Sequence, residues 1–215
     1  MLIETRAGQG PGGLVVVLLH GFMGLPEDLA PFARSIGLAA RFVFPEGLVD
    51  LGERGLRGRA WWPIDVDARS AVARPRDLSA FVPGGLDEAR AHLDALLEEV
   101  YASGSVDRLI VGGFSQGAML ACDLALRSSR RIDGLVMFSG ARIAETLWRP
   151  RYSERRGLRA FISHGRGDDD LSFSVAESFQ RELAEAGWAV TWVPFDGGHG
   201  IPMIVWRSFK RWLTP

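Results

Sequence analysis

The chain has few of the features that would set it apart from ordinary globular proteins. Cys122 is its one cysteine, so no disulfide can form within it. Lys210 is its one lysine, arginine supplies the other positive charges, and the net charge is −1. With no surplus of either sign, the composition gives no case for nucleic acid or an anionic membrane as the main partner. No apolar run approaches the length of a membrane span, so stable membrane insertion is not expected. Residues 1–13 lack a basic stretch followed by an apolar one and do not read as a secretory signal. Together these absences predict a cytoplasmic protein. Cys122 lies in an apolar helical stretch and reads as a buried structural thiol.

At 215 residues, 47% hydrophobic and 24% charged, the chain suits one domain with a sizeable core. Short apolar runs at 14–19, 41–44, 108–114, 134–138, 159–163 and 189–194 alternate with helical periodicity at 27–36, 86–101, 115–130, 171–186 and 202–213. That alternation predicts an α/β fold, a mostly parallel sheet with helices on both faces and right-handed crossovers. The last helix places Trp206, Phe209 and Trp212 beside Arg207, Lys210 and Arg211, the pattern of a helix packed on the sheet with a solvated basic face. In such sheets, sites gather at the carboxyl ends of the strands. Those ends carry His20-Gly21, Ser115, Ser139-Gly140, His164-Gly165 and His199. Residues 47–85 break the alternation with Gly, Arg and Pro and contain Trp61-Trp62-Pro63. The chain 1–215 therefore reads as one domain with an irregular insertion at 47–85 lying over the active site.

Gly113-Phe114-Ser115-Gln116-Gly117 is the most informative stretch. A G-x-S-x-G sequence between an apolar run and a helical one makes a sharp strand-to-helix turn, with the serine at its tip. Gln116 opens the helix, so its backbone N–H can face a developing negative charge. A serine hydroxyl needs a base, and the base needs a carboxylate to orient it. In this fold class the order is serine, acid, histidine. Of His20, His92, His164 and His199, only His199 follows the acidic loop. His92 reads as a solvated helix residue, and His20 and His164 as strand-end residues that bond to loops. Asp168, Asp169 and Asp170 are the acid candidates; two of the three are expected to form a solvated turn, and Asp170 is also a candidate cap for the helix predicted from Leu171. The second oxyanion donor is expected in the loop after the first buried strand, from Phe22 or alternatively Met23.

These residues resemble the phospholipase/carboxylesterase family of α/β-hydrolases, which includes bacterial carboxylesterases and acyl-protein thioesterases. Leu19-His20-Gly21 resembles the family's oxyanion loop, Gly113–Gly117 its G-F-S-Q-G elbow, His164-Gly165-Arg166-Gly167-Asp168 its H-G-x-x-D, and Gly198-His199 its G-H. The resemblance assigns the acid to Asp168 and implies an α/β-hydrolase fold with no large cap domain. The loop His20-Gly21-Phe22-Met23-Gly24 is one residue longer than the family's H-G-L-G, and Pro63 follows Trp62 where the family tends to have Asp.

The expectation is a serine hydrolase cleaving carboxylic esters of short to medium acyl chains, with Ser115 as nucleophile, His199 as base, Asp168 as its orienting acid and the N–H groups of Gln116 and Phe22 as oxyanion hole. No metal or cofactor is needed for this chemistry. Leu48, Leu51, Leu56, Trp61, Trp62 and Phe81 suggest an apolar acyl site, with Met23, Trp61 and Trp62 as substrate-binding residues. A thioesterase or lysophospholipase on the same triad is the alternative within the class. A non-catalytic hydrolase-fold binding protein is the alternative outside it. The partner is a small-molecule ester, and the oligomeric state, monomer or homodimer, stays open.

Overall fold

The computed structural model describes residues 3–7, 13–66 and 73–214. In chain order its strands are β1 (Ile3–Ala7), β2 (Leu14–Leu19), β3 (Ala40–Phe44), β4 (Val49–Asp50), β5 (Arg59–Ala60), β6 (Arg108–Phe114), β7 (Gly134–Phe138), β8 (Arg159–Gly165) and β9 (Ala189–Phe195). The helices longer than a single 3-10 turn are α1 (Pro26–Ile36), α2 (Leu86–Ala102), α3 (Gln116–Arg127), α4 (Glu145–Trp148), α5 (Phe173–Glu185) and α6 (Met203–Leu213). The predicted runs of β2, β3, β6, β7 and β8 are apolar, which suits strands buried on both faces, whereas β9 lies at the sheet edge and is mostly half-buried. All six pair in parallel, and the full sheet order is β1-β3-β2-β6-β7-β8-β9.

β1 is an addition to the sequence reading. It pairs antiparallel with β3 from Ile3↔Phe44 to Ala7↔Ala40. Its sequence, Ile-Glu-Thr-Arg-Ala, has no continuous apolar run, and an edge strand does not require one. Helix ends also moved. The helix predicted from 171 starts at Phe173, because Ser172 caps it by accepting the Val175 N–H at 3.4 Å. The helix predicted to run to 130 stops at Arg127.

Alternate strand residues face two separate cores. On one face α1 and α6 lay Leu29, Ala33, Ile36, Val205, Phe209 and Trp212 over Val16, Leu18, Phe42, Ile110 and Phe138. On the other, α2, α3 and α5 lay Leu93, Leu97, Leu120, Leu124 and Phe179 over Val15, Val17, Val111 and Leu135. Each such buried side chain contributes about 1.5–3 kcal/mol relative to exposure. Arg207, Lys210 and Arg211 of α6 are exposed, as its pattern predicts. Cys122 is fully buried, and burial, with the neighbouring Asp123 carboxylate, pushes its thiol well up. No helix among the described residues is long and apolar enough to cross a membrane.

The order β3-β2-β6 locates the site. From β2 the chain moves to β3 on one side and later reaches β6 on the other, so a crevice opens at the carboxyl ends of β2 and β6. His20-Gly21-Phe22 follows β2 and Ser115 follows β6. Residues 67–72 of the expected insertion lie outside the described residues, and the described part of 47–85 is less irregular than its sequence suggests. It includes the β4–β5 ladder, which pairs Val49 with Ala60 and Asp50 with Arg59.

Candidate active site

Ser115 stands between β6 and α3 with φ 52 and ψ −116, a conformation that costs a non-glycine residue about 1–3 kcal/mol. The flanking glycines make it possible. A Cβ on Gly113 would lie 2.5 Å from the Leu19 carbonyl oxygen, and one on Gly117 would lie 2.4 Å from it and 2.5 Å from that of His20. The turn is therefore pressed against the end of β2, where any side chain would strike backbone. Ser115 itself is 9% exposed.

His199 reaches Ser115 from the loop after β9. Its Nε2 lies 2.9 Å from Ser115 Oγ and its Nδ1 2.8 Å from Asp168 Oδ2. A carboxylate only accepts, so Nδ1 carries the proton and Nε2 is left to accept the serine O–H. The Phe114 ring packs against the imidazole at 4.9 Å. The loop is held from several sides. Gly167 N–H donates to Gly197 O (2.9 Å), Arg166 N–H to Phe195 O (2.9 Å) and Ser139 Oγ to Gly200 O (2.9 Å).

Asp168 is buried in the loop after β8. Its Oδ1 accepts the N–H groups of Asp170 and Leu171, each at 2.9 Å, and its Oδ2 accepts from His199 and from His164 Nε2 at 3.2 Å. Burial alone would raise its proton affinity. The bonds from His164, His199 and the Leu171 amide outweigh burial and hold the carboxyl well below the usual carboxylate range. Asp169 is exposed. Asp170 is neither a solvated turn residue nor the cap of α5. It is buried and bonded to Arg76 Nη2 at 2.6 Å.

His20 is structural, as its place before a glycine predicts. Nδ1 donates to Gly21 O (2.8 Å) and Nε2 accepts the Gly47 N–H (2.9 Å). Burial lowers its proton affinity. The Met23 N–H is engaged with the Arg59 carbonyl at 3.0 Å. Phe22 lines the cavity beside Ser115 and Gln116. The Gln116 side chain is bonded on both sides. Its Oε1 accepts the Trp61 N–H at 3.0 Å and its Nε2 donates to the Trp62 carbonyl at 3.1 Å.

A cavity of about 420 Å³ opens beside Ser115, walled by Phe22, Trp62, Ile64, Leu78, Phe81 and Met119, with Arg76 and Asp170 among its polar lining. Trp61 and Met23, two expected substrate-binding residues, are not in its wall. The Trp61 indole points the other way, stacking on the His20 ring at 5.1 Å and donating Nε1–H to the His20 carbonyl at 2.9 Å. A buried indole N–H needs an acceptor, and here the His20 carbonyl supplies it. Met23 is 45% exposed. Leu51 is buried in the protein core and Leu48 is exposed. Arg76, Met119, Leu78 and Ile64 were not anticipated as lining. Nothing in their local sequence marks them, since each reaches the cavity through tertiary packing. The His164 contact with Asp168 was also missed, although the two stand four residues apart in the H-G-x-x-D stretch. Among the described residues no group of three or more His, Cys, Asp or Glu is placed to hold a metal ion.

The sequence pattern that defines the phospholipase/carboxylesterase family matches residues 3–213. An acyl-protein thioesterase 1 from Eremothecium gossypii is 32% identical over 190 residues, covering 84% of this chain and 77% of its own. The crystal structure of esterase PE8 superposes with a TM-score of 0.79 at 27% identity, over 98% of this chain and 96% of that one. Zea mays acyl-protein thioesterase 2 superposes with a TM-score of 0.73 at 21% identity, over 100% and 97% of the two chains, a likeness of fold.

Proposed function

The chain belongs to the phospholipase/carboxylesterase family of α/β-hydrolases, and from that premise we propose that it hydrolyses carboxylic esters of short to medium acyl chains through an acyl-enzyme on Ser115. The observation that carries the proposal is the unbroken line of hydrogen bonds from Asp168 through His199 to Ser115 at the edge of an apolar cavity.

Ser115 Oγ attacks the ester carbonyl carbon while its proton passes to His199 Nε2. The imidazolium that forms is stabilised by Asp168, which remains a carboxylate. The carbonyl oxygen gains the negative charge and is met by the N–H groups of Gln116 and Phe22, each such donor contributing about 3 kcal/mol in the transition state. Collapse breaks the bond to the alcohol, which leaves with the proton from His199. Water then repeats the sequence, giving up a proton to His199 and releasing the carboxylic acid and free Ser115. The acyl chain lies against Trp62, Phe81 and Met119. A methylene group transfers from water with about 0.8 kcal/mol, so each one accommodated adds binding until the cavity is full.

The thioester reading has its own support in the acyl-protein thioesterase relative, and the chemistry differs only in the leaving group. A matched series of oxygen esters, thioesters and lysophospholipids of increasing acyl length, run on wild type and Ser115→Ala, tests both. Hydrolysis should be strongest for oxygen esters and should fall by about 10⁴-fold or more in Ser115→Ala. Full activity in that variant ends the proposal, and a strong preference for thioesters replaces the first reading with the second.

A further inference from the structure

His164 ends the apolar part of β8 and is completely buried. Its Nε2 lies 3.2 Å from Asp168 Oδ2 and 3.1 Å from the Leu171 carbonyl oxygen. Both neighbours are acceptors, so Nε2 carries the ring proton and Nδ1 is bare. Nδ1 has no hydrogen-bond partner among the described residues. A buried lone pair without a donor is a cost that an apolar side chain of similar volume would avoid, so filling space does not explain the ring. What the imidazole adds over such a side chain is the Nε2–H bond.

That N–H is shared between the Leu171 carbonyl oxygen and Asp168 Oδ2, the oxygen that also accepts His199 Nδ1–H. Asp168 Oδ2 thus lies between two imidazoles, His199 on the serine side and His164 behind it. We infer that His164 is a positioning residue of the hydrolase, fixing the Asp168 carboxylate and setting how much of its negative charge His199 receives. The inference rests on the reading of Ser115, Asp168 and His199 given above. A donor to a carboxylate draws charge away from its other contacts. When His199 takes the serine proton, the resulting imidazolium is stabilised less than it would be by a carboxylate free of His164.

The other charged groups around this pair do not bond to Oδ2. Asp170 in the same loop is paired with Arg76 of the insertion at 2.6 Å and lies 3.7 Å from Arg74. Arg166 stacks on the Phe173 ring, which packs edge-on against His164 at 6.2 Å. The Leu171 N–H bonds to Oδ1.

The test compares His164→Leu, which keeps bulk and loses the donor, with His164→Gln, which keeps an amide donor at similar reach. Two readouts are needed: the pH dependence of kcat/KM, and the low-field NMR resonance of the proton between His199 and Asp168 in substrate-free protein. In His164→Leu the acid limb should move up by about one pH unit, so that kcat/KM falls by up to about tenfold at pH values below that limb, with little change in KM. The proton resonance should move downfield as the remaining bond strengthens, and His164→Gln should return both towards wild type. An unchanged acid limb and resonance in His164→Leu, with activity lost only in step with folded protein, would overturn the inference. If the leucine variant does not fold, His164→Asn replaces it, its amide being too short to reach Oδ2. Fluorophosphonate labelling of Ser115 reports separately on the hydrolase reading, while the resonance needs no turnover, so failure of one is distinguishable from failure of the other.

Discussion

The loops after β6 and β8, with His199 of the loop after β9 bonded to Ser115, and the described part of the segment 47–85 come together around one cavity but are held there by different means. The loops are short, and glycines bring them backbone against backbone, as where Gly113 and Gly117 approach the end of β2. The segment is held at separate stations by residues distant in sequence. Gln116 clamps Trp61 and Trp62, Arg76 bonds to Asp170, and the Ala144 and Glu145 amides donate to Phe81 and Ser79. The first kind of contact tolerates almost no displacement, which suits groups that must stay within hydrogen-bonding range of a reacting atom. The second can shift wall by wall. Changes in the strand-end loops should therefore abolish turnover, and changes in the segment should retune which acyl chains are accepted.

The sharpest way to break that comparison is Gly117→Ala. The new Cβ would meet three backbone atoms of Leu19 and His20 at 2.4–2.7 Å, and backbone cannot swing aside as a side chain can. The elbow must open, carrying the Gln116 N–H away from the oxyanion. Activity should fall by about 10²-fold or more, and stability by roughly 1–3 kcal/mol, measured by ester kinetics and denaturant unfolding. Near-wild-type turnover would mean that the elbow is looser than its packing implies.

The two tryptophans sharpen the comparison within one dipeptide. Trp61→Ala removes a buried ring from the His20 stack and should cost about 3–5 kcal/mol of stability while leaving chain-length preference nearly unchanged. Trp62→Ala removes a piece of cavity wall and should shift the preferred acyl chain to greater length, changing the ratio of long to short ester kcat/KM by about tenfold. The reverse assignment of the two effects would show that Trp61, not Trp62, lies against the substrate.

The same difference explains what the sequence could and could not reveal. Ser115, Asp168 and His199 follow their strands directly, so apolar runs and glycine-bounded turns point to the loops that bear them. The parallel sheet was legible because its strands carry short apolar runs that alternate with helical periodicity. β1 was not, since an edge strand of mixed polarity carries no such run. Trp61 and Trp62 look alike in sequence, and only the acceptor offered by the His20 carbonyl decides which one faces the cavity. Arg76 and Asp170 stand 94 positions apart, and nothing local in either announces their bond. Asp170 beside Asp169 looked solvated because adjacent carboxylates usually are.

The smallest expected effect separates the two regions by pH. His20 accepts the Gly47 N–H at Nε2, and Gly47 begins the insertion. Protonation there would set one donor against another, and burial already lowers the ring's proton affinity. Across the interval between this depressed native value and the ordinary histidine value, the unfolded chain binds the proton and the folded chain does not. Stability therefore falls as the pH drops through the ordinary histidine range, and rises again with pH. Asp168 works in a lower window. Its native proton affinity is depressed as an acid, so its contribution is intact above the ordinary carboxylate range and is lost only as the pH falls below it. Mild acid should thus loosen the hold on Gly47 while the bonds to Asp168 persist. Between about pH 7 and pH 5, wild type should lose stability relative to His20→Gln, whose amide oxygen can accept the Gly47 N–H at any pH. Denaturant unfolding across that range reads the difference, and hydrogen exchange at the Gly47 amide localises it. Parallel pH profiles for the two proteins would mean that the insertion is anchored without His20.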